Sequence, residues 1–515
     1  MEEAIPNREP DPTAAMGRIA ATLTGWRLDL TIVATALLLT LWIGHIPLDS
    51  DVAWQLWVAH HLRLGARFAV DIIETNPPLW FWMAMPIDGI AQITGASAGP
   101  ILIALGALLC AGSAIPTGRL GLGAQHPARL PFTLYLLLML LVLPLPDFGQ
   151  REHIALAGAL PYAALGAVRR RHEPIPTRLA VLIGIGAALG FALKPYFLLA
   201  PLALEMWLAI ALGRSWRPVR TETVVLAFAA AVYALLAMIL TPAFFTAVVP
   251  LNLLAYTSTG GGFASLLLNP ALWIGCLIAA FLIAQGRALP PLASALTLIA
   301  GGFAAGYLIQ HKGWPYQAIA MIGCLAAALA ASLAARDKAL SPSFRLSAAG
   351  LLLLTVSFGL LHPLHKANPT PDMIAATAGL HAGDSVAIVT SDNAEIWPIT
   401  LDRGFRFPSR YNGFWMLRAI VQAERGDADP RLEELGRTIA RQTTLDFACA
   451  PPVRIIFDRP TSADGFDIRG FFMRDAAFSA LMHHYEHSAR YGDLDVFTQR
   501  SPIASLPAAL CRRGV

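Results

Sequence analysis

The sequence predicts a polytopic α-helical membrane protein of about eleven transmembrane helices, followed by a C-terminal α/β domain outside the membrane. Three observations predict this. The chain is 56% hydrophobic and 14% charged over 515 residues, with a mean hydropathy of +0.56, whereas a soluble chain averages about a quarter charged. Its first 361 residues hold runs close to the roughly 20 apolar residues that a spanning helix needs. After Leu361 those runs stop and polar residues become frequent.

The apolar runs fall near 28–46, 98–117, 130–146, 153–168, 178–194, 197–213, 222–240, 270–286, 290–309, 317–335 and 345–361. Residues 1–17 are polar and carry both signs of charge, so the first span is read as a retained anchor and not a cleaved signal. Arginine clusters punctuate alternate loops: Arg119 and Arg129; Arg169, Arg170, Arg171 and Arg178; Arg214, Arg217 and Arg220; Arg287; Arg336, Lys338 and Arg345. The positive-inside rule places these in the cytoplasm. Alternation then puts Asp49–Ser97, Pro146–Glu152, Lys194–Tyr196, Thr241–Asn269, Gln310–Tyr316 and everything after 361 outside. The net charge of +4 follows from this placement and implies no nucleic-acid partner. Residues 79–94 are apolar, but a span there would invert the arginine loops, so they are read as an interfacial or re-entrant helix.

The organisation expected is a transmembrane domain over 1–365, with a first external loop at 47–97, and a periplasmic α/β domain over 366–515. In the second part, strand-like runs at 385–390, 453–458 and 494–499 alternate with helical stretches near 372–381, 413–425, 430–442 and 474–487. This domain would cap the site, bind acceptor or stabilise the assembly. Cys110, Cys276 and Cys324 fall inside spans as small packing residues. Cys449 and Cys511 are the two cysteines of the external region, and a disulfide between them is expected.

Rare charged residues collect in the external loops. The first reads DSDVAWQLWVAHHLRLGARFAVDIIETNPPL from Asp49 to Leu79, with Asp49 and Asp51 directly after the first span and Glu74 ahead of Asn76-Pro77-Pro78. The second reads PDFGQREHIAL, with Asp147, Arg151, Glu152 and His153; Lys194 ends the fifth span before Pro195; and the turn LIQHKGWPYQA holds His311, Lys312, Trp314 and Tyr316. An ammonium near the apolar layer is costly unless it meets an anion. Lys194, Lys312 and Arg151 therefore imply an anionic ligand on the outer side. A simple interfacial role for the aromatic residues stands beside that reading.

The acid pair after the first span followed by Pro-Pro resembles the first external loop of the GT-C superfamily, the polyprenyl-phosphate-dependent membrane glycosyltransferases. The segment around Lys194 resembles that of the lipid A aminoarabinose transferases, and the Lys312-Gly313-Trp314 turn is similar to turns in relatives. The resemblance implies sugar transfer from a polyprenyl-phosphate donor, with inversion, at the periplasmic face of a bacterial inner membrane. Asp51 is the expected base, fourteen residues before Gly65, with Asp49 as its alternative or partner. Glu152 or Asp147 would orient the acceptor, and Lys194, Lys312 and Arg151 would meet the donor phosphate. Glu74, His153, His311 and Tyr316 would contact the sugar or acceptor. The loop 241–269, with Gly260-Gly261-Gly262, would border the lipid groove. The acceptor is open among glycan, lipid and protein. No cofactor is required by the pattern; a divalent metal stays open, although no ligand spacing demands one. Two other classes are kept, a lipid-glycan flippase and an O-antigen polymerase or ligase. The first needs charges across the membrane and the second a large late external loop.

Overall fold

The computed structural model describes residues 12–145, 147–256, 262–284, 289–335, 342–361, 369–426, 429–459, 466–504 and 506–512. Parts of the sequence-based reading, including Gly260 and Gly261, Arg287, Arg336, Lys338 and the boundary expected at 365/366, lie outside the described residues.

The helical part runs α1 (Pro12–Ile43), α2 (Ser50–Arg63), α3 (Leu79–Thr94), α4 (Ala98–Leu122), α5 (Arg129–Val142), α6 (Arg151–Arg170) and α7 (Thr177–Phe191). It continues through α8 (Leu199–Leu212), α9 (Thr221–Leu240), α10 (Val249–Ala255), α11 (Gly262–Leu268), α12 (Pro270–Ile283), α13 (Pro291–Gln310), α14 (Ile319–Ala335) and α15 (Pro342–Leu361). Each of the eleven apolar runs lies mainly on a helix among the described residues. Among the described residues, however, seven helices are long and apolar enough to span, or eight if α11 and α12, bent by 59° at Asn269, count as one span. The other three differ for physical reasons. α5 has 14 residues and α7 has 15, while α6 has 20 but carries Arg151 and Glu152 at one end and Arg169 and Arg170 at the other. α6 tolerates those charges because protein, not lipid, surrounds it: nearly every side chain from Arg151 to Val168 is buried.

α6 and α14 form the centre of the bundle, α14 being buried from Ile319 to Ser332. Small residues let the helices meet closely. A Cβ at Gly158 would stand 2.6 Å from the Gly186 carbonyl of α7, and one at Gly302 would stand 2.4 Å from the Ala200 backbone of α8. α9 shows the opposite pattern, with Phe228, Leu235 and Ile239 exposed along an apolar surface that suits lipid. Between the spans, α2 begins where Asp49 caps it, its side chain accepting from the Asp51 N–H at 2.9 Å, and buries Trp54, Trp57 and Val58. α3 starts after Pro77-Pro78 and ends at Gly95, whose positive φ of 71° suits a helix stop. It packs on α2 and α4 and does not meet the spanning criterion.

From Thr370 onward the chain forms α16 (Pro371–Ala376), β1 (Val386–Val389), α17 (Ile399–Asp402), α18 (Leu417–Arg425), α19 (Pro430–Cys449), β2 (Arg454–Asp458), α20 (Ile468–Met473), α21 (Ala476–Met482), β3 (Tyr485–Tyr491) and β4 (Leu494–Gln499). The sheet order is β1-β2-β4-β3, with β1 parallel to β2 and the other pairs antiparallel. Alternation along β1 gives the sheet two covered faces. Val386 and Ile388 share a core with Trp397 and Phe407, while Ala387 and Val389 pack with Phe414, Phe447 and Phe478. The helix expected over 474–487 ends at Met482, and β3 follows unannounced. Its sequence YEHSARY is polar because it is the edge strand, mostly exposed.

Cys449 and Cys511 are joined by a disulfide with Cα atoms 5.6 Å apart. It fixes the C-terminal tail so that Arg512 reaches Asp446 at 3.2 Å and the Asp71 carbonyl of the first external loop at 3.0 Å. A second tie joins Ile73 N–H to the Arg410 carbonyl at 2.8 Å.

Candidate active site

A cavity of about 1010 Å³ opens between the segment joining α1 to α3, the start of α6, the end of α7, the start of α14 and the C-terminal unit. The wall formed by the helical part holds Asp49, Asp51, Glu74, Asp147, Arg151, Lys194 and Tyr316, and the wall formed by the C-terminal unit holds Asp372, Asp392, Asn393, Glu395, Arg418, Asp458 and Asp493. Carboxylates lie on both walls; Arg151 and Lys194 stand among those of the first, and Arg418 joins those of the second. Burial, then neighbouring carboxylates, pushes the Glu395 carboxyl above its ordinary range.

Asp51 sits in the first turn of α2. One carboxylate oxygen, Oδ2, accepts from Gln150 Nε2 at 3.1 Å and Arg151 Nη2 at 3.3 Å, and Oδ1 accepts from Asn393 Nδ2 at 2.9 Å. Asp49 does different work: besides capping α2 it accepts from Gln150 Nε2 at 2.9 Å.

Arg151 is 2% exposed and lies over the Trp80 ring at 4.4 Å. Its Nη2 meets Asp51, yet Nε and Nη1 have no hydrogen-bond partner. Buried guanidinium donors without acceptors are costly, and Arg151 is part of the cavity lining. Lys194 adds a second cation. Its Nζ donates to Glu152 Oε1 at 2.6 Å and to Gln310 Oε1 at 3.4 Å, and lies 5.5 Å from the Tyr316 ring centre. Glu74 is buried, accepting from the Trp54 indole, from Asn76 N at 2.7 Å and from Asn76 Nδ2 at 2.6 Å. Burial pushes its carboxyl above the usual range against those donors.

Other residues expected at the site are placed elsewhere. Glu152 does not line the cavity; it is fully enclosed behind Lys194. His153 turns into the bundle, with Nε2 3.3 Å from Cys110 Sγ and Nδ1 accepting from Gly149 N at 3.1 Å. His311 is exposed, caps α13 with a φ of 55°, and contacts the Ile309 carbonyl. Lys312 holds the end of α10 instead of the cavity, donating to the Tyr256 carbonyl at 2.6 Å and lying 4.2 Å from that ring. Burial lowers the Lys312 ammonium below its ordinary value. The sequence reading missed Gln150, Trp80, Tyr256 and each residue of the C-terminal wall, although a cap formed by that domain was one of its expectations. Gln150 was visible inside PDFGQREHIAL, but it carries no charge to draw notice. Among the described residues, no group of three or more His, Cys, Asp or Glu is arranged to hold a metal ion.

No family model matches the chain, and no curated protein matches it. Its fold is similar to the crystal structure of ArnT from Cupriavidus metallidurans bound to undecaprenyl phosphate, with a TM-score of 0.53 and 14% identity over 94% of this chain and 100% of that one. It is also similar to the cryo-electron microscopy structure of the arabinofuranosyltransferase AftD from mycobacteria, with a TM-score of 0.45 and 14% identity over 93% of this chain. The chain spans 40% of AftD's length. The chain therefore shares the overall fold of ArnT over nearly all of its length, and its long apolar helices make it a multi-pass membrane protein.

Proposed function

We propose that this protein is a glycosyltransferase that moves a sugar from a polyprenyl-phosphate donor to an acceptor at the periplasmic face of a bacterial inner membrane. The observation that carries the reading is the buried Arg151 guanidinium, with two unpartnered nitrogens, in the same cavity wall as Asp51 and Lys194. A nucleophile-activating carboxylate next to an anion site is what displacement of a phosphate leaving group needs.

In this mechanism Asp51 takes the proton from an acceptor hydroxyl. The acceptor oxygen forms its bond to the anomeric carbon from the face opposite the phosphate, so the configuration inverts. The anomeric C–O bond breaks, and its electron pair leaves on the lipid phosphate. Arg151 and Lys194 stabilise that phosphate, with Trp80 and Tyr316 as ring walls beside the cations. The acceptor enters along the C-terminal wall, whose amides and carboxylates suit hydroxyl groups. ArnT was solved with undecaprenyl phosphate bound, and the same lipid is the natural probe here.

The experiment is binding of radiolabelled undecaprenyl phosphate to the purified protein, with undecaprenol as the uncharged control. The wild type should prefer the phosphate, and Arg151→Ala should lose about tenfold to a hundredfold in affinity, as expected for lost charge-assisted hydrogen bonds. Lys312→Ala should keep full affinity, because Lys312 lies off the cavity. Equal binding of phosphate and alcohol would overturn the reading.

A further inference from the structure

We infer that Asn393 is a positioning residue for Asp51, supplied by the C-terminal unit, so that proton removal from the acceptor depends on that unit being docked. The inference rests on the reading of Asp51 as the base.

The contact is Asn393 Nδ2 to Asp51 Oδ1 at 2.9 Å, between residues 342 apart in the chain. Gln150 and Arg151 hold only the other oxygen, Oδ2. Both belong to the helical part, so Asn393 is the donor that undocking would remove. A carboxylate in the first turn of a helix turns about two side-chain bonds; donors on both oxygens fix its plane, and the cost of ordering is met before substrate arrives.

Asn393 is itself firmly placed. It opens the short 3-10 turn Asn393–Glu395, where Asp392 Oδ1 accepts from Ala394 N at 2.9 Å. Its carbonyl accepts from Ile396 N and Trp397 N, both at 3.1 Å. Trp397 is buried and donates its indole N–H to Asn412 Oδ1 at 2.7 Å. The Trp397 ring lies 5.4 Å from that of Trp54 and 5.9 Å from that of Trp57, both on α2. The same turn therefore grips α2 twice. The aromatic cluster sets where α2 stands, and the amide sets how the Asp51 carboxylate faces. An aspartate at 393 would instead bring two carboxylates within about 3 Å, where like charges repel.

The test uses the full-length protein in lipid nanodiscs and follows release of undecaprenyl phosphate from undecaprenyl-phosphate-linked pentoses and hexoses. Asn393→Ala should lower kcat about tenfold to a hundredfold, with donor KM and melting temperature unchanged. Asn393→Asp should be poor at neutral pH and gain activity as the pH falls, when one of the paired carboxyls takes a proton. A purely structural role would not produce that profile. Wild-type kcat in Asn393→Ala, or a loss that follows donor KM or melting temperature, would overturn the inference. If Asp51→Asn is inactive while Asn393→Ala is fully active, only this inference falls; if Asp51→Asn is active, the reading of Asp51 falls with it.

Discussion

Lys194 donates to Glu152 at 2.6 Å, with the lysine side chain 8% exposed and the glutamate side chain wholly enclosed. The pair changes what each residue can do. Glu152 spends one oxygen on the lysine and has no route to an acceptor, while its Oε2 has no partner at all. Lys194 keeps its place in the cavity wall because Glu152 anchors it from behind. Removing one member of a buried pair strands the other, typically at about 3–5 kcal/mol. Glu152→Ala should therefore lower the unfolding midpoint strongly. Adding Lys194→Met to Glu152→Gln should recover much of that stability, without restoring affinity for undecaprenyl phosphate. Thermal unfolding and lipid binding measured on the same two preparations check both parts. Wild-type stability in Glu152→Ala would mean the pair contributes nothing.

Asp49 and Asp51 stand two residues apart and should fail differently. Asp51→Asn should abolish release of undecaprenyl phosphate from its sugar-linked form and leave the melting temperature near that of the wild type. Asp49→Ala should keep measurable turnover but lose about 1 kcal/mol of stability, the usual cost of an N-cap, and Asp49→Ser should recover most of it. Full turnover in Asp51→Asn together with none in Asp49→Ala would exchange the two roles.

These two acids, with Arg151 and Lys194, were legible in the sequence because charge is conspicuous in a chain so poor in it. That Arg151 and Arg169 stand at opposite ends of one helix was legible too, about 30 Å apart at 1.5 Å per residue. The direction of each side chain was not. Glu152 and His153 follow Arg151 directly on α6, yet successive helix positions point about 100° apart, so one neighbour lines the cavity while the others turn inward. Lys312 and His311 share a turn with Tyr316 and still face elsewhere. Asn393 could not be read at all. An uncharged side chain in a polar segment stands out against nothing, and its partner lies 342 residues away. The missed strand β3 has the same cause in another form, for an edge strand needs no apolar alternation.

His61 offers a pH test of how α2 is held. It stacks on Trp57 with ring centres 3.7 Å apart and contacts the Trp57 carbonyl at 2.8 Å through Nδ1. Burial, helped by the neighbouring His60 and Arg512, lowers its pKa from 6.5 to about 4. The folded state therefore binds fewer protons than the unfolded state between these values, and stability rises with pH across that window. The contribution is fully present above pH 6.5 and is lost as the pH falls toward 4. His61→Phe keeps a ring on Trp57 and removes the titration. Its melting temperature should fall less steeply than that of the wild type between pH 6.5 and 4. Parallel melting curves for the two proteins would show that His61 does not titrate on unfolding.

The disulfide between Cys449 and Cys511 has a reach beyond its own loop. Its two cysteines are 62 residues apart, and closing a loop of that length is worth about 4 kcal/mol in the chain-entropy account. Next to it, Arg512 meets Asp446 and donates to the Asp71 carbonyl, while Asp446 also holds Arg410 at 2.7 Å. Arg410 in turn offers its carbonyl to Ile73 N–H. The covalent bond thus fixes the tail that ties the first external loop, with Glu74 just beyond Ile73, to the C-terminal unit. A Cys449→Ser, Cys511→Ser protein should melt lower. It should also expose the amides of 71–74 to faster hydrogen exchange, and its turnover should fall more than its affinity for undecaprenyl phosphate, because Arg151 and Lys194 are held by the helical part alone. Hydrogen exchange by mass spectrometry separates the two effects: faster exchange confined to the C-terminal unit, with 71–74 unchanged, would show that the bond stabilises its own loop and nothing at the site.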